Sequence, residues 1–151
     1  MNSWWRAVLA LLILLTASCG SFEPGKPLAM DGDDVSYELE KVAFTIPDGF
    51  EFIQGVKYAE FVGQPAWAAR FDGPNELGDG RAVAAANPSY PPLQPADCGT
   101  ASKDSWTSLG SKCEPEMLFT SRLAGGSSDA FSVMLTTGAQ ESSLFIYCEG
   151  H

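Results

Sequence analysis

The chain has 151 residues, with 19 acidic against 9 basic side chains and a formal net charge of −10 at pH 7. That balance repels nucleic acid and anionic lipid headgroups and favours cationic partners. Hydrophobic residues make up 45% and aromatic residues 11%, too much apolar material for a disordered chain, and the length suits a single domain.

Met1–Arg6 is short, with the α-amine and Arg6 as its positive groups, and Ala7–Leu15 is an unbroken apolar run. Thr16, Ala17 and Ser18 are small, and Cys19 follows. This order describes a secretory signal. The apolar run is too short for a stable membrane span, which needs about 20 residues. Leu15-Thr16-Ala17-Ser18-Cys19 resembles the lipobox of bacterial lipoprotein precursors, with Thr16 where leucine is commonest. The resemblance implies cleavage before Cys19 and lipidation of Cys19 by palmitate-type acyl chains. It also implies an extracytoplasmic protein held at a membrane of the cell envelope. Two or more acyl chains make such anchoring stable. The resemblance ends at Cys19 and implies nothing about the domain behind it. The alternative is an ordinary cleaved signal with Cys19 in a disulfide. The expected organisation is a signal peptide over 1–18, a flexible tether over 19–35 and a β-rich globular domain over 36–151.

Gly20–Asp34 is rich in Gly, Pro and Asp without apolar periodicity, and reads as tether. Asp31, Asp33 and Asp34 resemble the start of a calcium loop, but the rest of that pattern is missing. Tyr37–Ile46 alternates and predicts a strand with a bulge near Glu40-Lys41. Pro47-Asp48-Gly49 turns the chain, and Phe50 and Phe52 open a second strand. Val56–Val62 fits a strand or a helix, and its bounding Gly55 and Gly63 favour the strand. Trp67, Ala69 and Phe71 mark the inner face of another strand.

Asp72–Gly80 is a turn cluster, and the oxygens of Asp72, Asn75, Glu76 and Asp79 match no cation-binding spacing. Arg81–Ala86 reads as a short strand of small residues. Asn87–Pro95 must be extended, because each proline disfavours helix before it. Its Pro92–Pro95 PxxP spacing reads as a rigid surface loop. Asp97–Cys113 is polar, with Trp106 and Leu109 as apolar anchors. Met117–Leu123, Phe131–Thr137 and Leu144–Cys148 are strands, the last two forming a hairpin. The expected fold is mainly β: a single small antiparallel sheet, sandwich or barrel. A short helix in 55–63 or 100–112 would make it α+β.

With Cys19 assigned to lipid, Cys98, Cys113 and Cys148 remain. Outside the cytoplasm cysteines tend to pair. Cys98–Cys113, 15 residues apart, is the local choice and is worth about 3 kcal/mol by chain entropy. Cys113–Cys148 and Cys98–Cys148 stay open as alternatives. A sharper reading places zinc between Cys98, Cys113, Cys148 and His151. It lacks a CxxC knuckle and relies on a terminal histidine, so no metal or cofactor is expected.

His151 is the only histidine, and GxSxG, Walker and GxGxxG motifs are all absent. A non-enzyme is therefore expected. The leading expectation is a lipid-anchored envelope protein of non-catalytic binding or structural role. The alternatives are an acidic inhibitor of a cationic secreted enzyme such as lysozyme, and a hydrolase built on paired carboxylates. Tyr58, Trp67, Tyr90 and Trp106 supply a recognition face if exposed, and core if not.

Overall fold

The computed structural model describes residues 25–59, 63–101, 104–122 and 130–150. Seven strands lie among them: β1 (Pro27–Met30), β2 (Glu51–Tyr58), β3 (Trp67–Pro74), β4 (Gln94–Pro95), β5 (Glu116–Arg122), β6 (Phe131–Thr137) and β7 (Glu141–Cys148). All pair antiparallel in one open sheet, in the order β1-β2-β3-β7-β6-β5-β4. The helices are α1 (Gly32–Lys41), α2 (Arg81–Ala86), α3 (Cys98–Ala101) and α4 (Asp104–Thr107), and all but α1 are short. The mainly β expectation holds, in its open-sheet form. The C-terminal hairpin is β6–β7, in register from Phe131↔Cys148 to Thr137↔Ser142.

Both faces of the sheet are covered, so its central strands are apolar on both sides, as such strands must be. Trp67, Ala69 and Phe71 of β3, Phe131, Val133 and Leu135 of β6, and Leu144, Ile146 and Cys148 of β7 share one cluster with Val35 and Leu39 of α1 and Val83 of α2. We call this the helix face. Ala68, Met117, Met134 and Phe145 cluster on the other side with Ala101, Trp106 and Leu109. That side is covered by the segment between Cys98 and Cys113, which a disulfide closes, and we call it the disulfide face. Each fully buried large apolar side chain stabilises the fold by about 1.5–3 kcal/mol.

The strand expected over Tyr37–Ile46 is corrected: Tyr37–Lys41 belongs to helix α1 and 42–46 is turn and irregular chain, while the first strand lies earlier, inside the stretch expected to be tether. Asp31 caps α1: its Oδ1 accepts from the Asp34 N–H at 2.9 Å. Asp33 and Asp34 complement the positive end of the helix and Lys41 the negative end. The aspartates that resemble a calcium loop are thus helix-start residues. Val35 and Leu39, four residues apart, form the buried stripe and leave Tyr37 exposed.

The helix ends in a Schellman motif. The Ala43 N–H donates to the Glu40 carbonyl and the Phe44 N–H to the Leu39 carbonyl. Ala43 sits at φ 53°, a conformation usually left to glycine. Phe44 and Leu39 are both buried, the apolar contact that accompanies this motif.

Arg81–Ala86 is also a helix rather than the expected strand. Four of its six residues, Ala82 and Ala84–Ala86, are alanine, the strongest helix former. Of the two stretches that allow a short helix, 55–63 and 100–112, Gly55–Tyr58 of the first belongs to β2, and the second overlaps the end of α3 and contains α4.

A bulge does occur, but in β2: Phe52 pairs with Phe71 and Gln54 with Arg70, so Ile53 is the additional residue and is turned outward. The bulge switches parity, placing Phe52 against the helix-face cluster and Val56 in the disulfide-face cluster. It also brings Gly55 under α1, where a Cβ would stand 2.8 Å from Val35 Cγ2. Among the described residues no helix is long and apolar enough to cross a membrane.

Candidate functional site

A groove opens on the helix face between α2, the proline-rich stretch 88–93 and β5. Its floor begins with the start of α2. Asp79 Oδ1 accepts from the Arg81 N–H at 2.9 Å. Gly80, at φ +75°, brings the helix so close that a Cβ would lie 2.9 Å from both Leu118 Cδ1 and Leu93 Cδ1. Only glycine serves both needs.

Asn87 closes the far end of α2 and is buried. Its Nδ2 donates to the Val83 and Thr45 carbonyls at 2.9 Å each, and its Oδ1 accepts from the Thr45 N–H at 2.7 Å. This ties α2 to the segment that follows α1.

Tyr90 forms the inner wall. Its ring stands edge-on to Phe44 at 5.1 Å and to Phe131 at 5.5 Å. Its hydroxyl donates to the Val42 carbonyl. Thr120 Oγ1 donates to the Pro91 carbonyl at 3.0 Å and holds the proline stretch to β5. The resulting cavity measures about 300 Å³ and is lined by Phe44, Val83, Ala84, Tyr90, Leu93 and Thr120, among others. That is the lower end of the range for small-molecule sites. Beside it, Arg122 places its guanidinium carbon 4.4 Å from the centre of the Tyr90 ring. Burial pushes the Tyr90 hydroxyl pKa above its ordinary value, and the Cys148 thiol adds to this while Arg122 opposes it.

The groove is therefore apolar by construction. The polar side chains in its wall (Asn87, Thr120 and Tyr90) hold backbone carbonyls. No protein-family model, curated protein or solved structure matches this chain. Its function must be read from such local geometry.

A second cavity, of about 400 Å³, lies at the other end of β2, β3 and β7, and its lining includes Glu51, Ile53, Asp72, Pro74 and Glu141. It is acidic, and Ile53 is one of the few large apolar side chains left exposed among the described residues. Asp72 is not an unencumbered acid, because Arg70 grips it with two bonds of 2.8 Å. The same guanidinium reaches the Leu109 carbonyl and the Ser143 hydroxyl.

The residues singled out in the sequence scatter. Cys19 and the lipobox lie outside the described residues, as does His151. Cys98 and Cys113 form the disulfide, while Cys148 is buried in the helix-face core beside Trp67 and Phe131 in register. The zinc set is thereby corrected: two of its thiols are consumed in a bond, and the third lies on the other face of the sheet. Among the described residues no three His, Cys, Asp or Glu side chains could hold a metal ion. Asp79 serves the start of α2, and Asn75 Nδ2 donates to the Ala139 carbonyl. Trp67 and Trp106 are core, Tyr58 pairs with Ser108 on the disulfide face, and only Tyr90 lines the groove. Arg122 and Ala84 carried no signal in the sequence.

Proposed function

We propose that this chain is a lipid-anchored, non-catalytic binding protein of the cell envelope, with the groove between α2 and β5 as its ligand site. The observation that carries the reading is the groove itself: a cavity of about 300 Å³ with an apolar wall whose polar groups hold backbone. Such a wall offers area and shape to a ligand, and no uncommitted acid or base to a reaction. The anchor rests on the resemblance of Leu15–Cys19 to a lipobox.

Two measurements test this. The intact mass of the membrane-extracted protein should equal residues 19–151 plus acyl chains, and an unacylated mass would remove the anchor. A neutral apolar dye, N-phenylnaphthylamine, should bind the purified protein at one saturable site. Ala84→Trp, which fills the groove from an exposed helix position, should abolish that binding without changing the melting temperature.

A second reading is an acidic inhibitor of a cationic secreted enzyme. It is supported by the Glu51–Glu141 cavity with Ile53 exposed at it. It requires binding to a basic protein that weakens steeply with salt. The carboxylate-pair hydrolase has less support, because Arg70 occupies Asp72.

A further inference from the structure

We infer that the groove takes a single-chain alkyl carboxylate, with the alkyl chain between α2 and the proline stretch and the carboxylate on Arg122. The inference rests on the binding role proposed above and supplies its ligand class.

Arg122 stands apart from the other described arginines. Arg70 is paired with Asp72, and Arg81 with Asp79. Lys41 and Lys57 both reach Glu38. Among the described residues, no carboxylate lies within ion-pair distance of Arg122, although acids outnumber bases 19 to 9 in the chain. Its guanidinium lies over the face of Tyr90, whose ring also lines the groove.

Position explains how it would serve a ligand. Leu118, Thr120 and Arg122 alternate along β5 and so project to the same face. Leu118 packs into the helix-face core, and Thr120 lines the groove. Arg122 then stands one step further along, at the end of the same row. The guanidinium carbon lies over the Tyr90 ring at 4.4 Å, and among the described residues no carboxylate takes up its N–H groups. A planar fork of donors matches a carboxylate. A cationic ligand would gain nothing here, and a neutral alkyl ligand would leave the arginine unused. Each methylene buried in the groove adds hydrophobic stabilisation independent of the head group.

The test displaces N-phenylnaphthylamine from the full-length protein with decanoate and with decanol at physiological ionic strength. Decanoate should compete about tenfold more strongly, the value of one charge-assisted hydrogen bond. Arg122→Gln should erase that preference while the dye still binds. Arg122→Lys should retain part of it, and this guards against a change that merely loosens β5. Equal competition by decanoate and decanol in the unaltered protein would overturn the carboxylate assignment and leave the groove reading intact. Dye and decanoate binding that both survive Ala84→Trp would place the site elsewhere and overturn the groove reading as well.

Discussion

The two faces of the sheet are built on opposite plans. The helix face is covered by α1, α2 and an extended proline stretch, and its core is a network of aromatic rings in which Phe44, Tyr90 and Phe131 meet mutually at 5.1 to 5.5 Å. The disulfide face is covered by a segment with only two four-residue helices, α3 and α4. That segment depends on two large side chains, the fully buried Trp106 and Leu109, and on the bond between Cys98 and Cys113. A redundant network can open a groove at its margin and remain folded. We read this as the reason the cavity with an apolar wall lies on the helix face.

Breaking the disulfide face should have the largest effect. Trp106→Ala removes the larger of the two anchors and should cost about 3–5 kcal/mol in urea unfolding. Replacing both Cys98 and Cys113 by serine should cost about 3 kcal/mol. The two changes act on one segment, so their combined cost should fall short of the sum. Strict additivity would show that the cover is not held as a unit.

On the helix face the single contacts count for less. Tyr90→Phe loses one hydrogen bond, to the Val42 carbonyl, and should cost about 1 kcal/mol. The folded pKa of Tyr90 is raised above its ordinary value near 10, so the neutral hydroxyl contributes fully below that pH. The contribution is lost as pH rises through the folded value. Stability measured against pH should therefore fall in the alkaline range by a component that Tyr90→Phe lacks. Identical alkaline curves would refute it.

The smallest effect expected is a gain. Ala43→Gly relieves a positive φ at the end of α1 and should stabilise by roughly 1 kcal/mol. A lower melting temperature would mean that the Schellman geometry is not what limits that helix end.

The strands were legible in the sequence wherever alternation was long and bounded by turns, as in Trp67–Phe71 and Phe131–Thr137. The disulfide was legible because spacing favoured the local pair. Helix α1 was misread because Tyr37, Leu39, Val42, Phe44 and Ile46 also satisfy a two-residue period with one slip. The decisive signal was Asp31, whose side chain caps the helix three residues on. Helix α2 was misread because its residues are small and give no period of either kind. The groove was not legible at all. It arises where α2, 88–93 and β5 converge, and that convergence depends on Gly80 and Asn87 acting across distant parts of the chain.

The most direct test of the account compares amide hydrogen exchange of the full-length protein with and without saturating decanoate. Protection should rise across 81–95 and 118–122 on the helix face and stay unchanged across 98–113. Protection that rises instead across 98–113, with 81–95 unaffected, would put the ligand on the disulfide face and contradict the account.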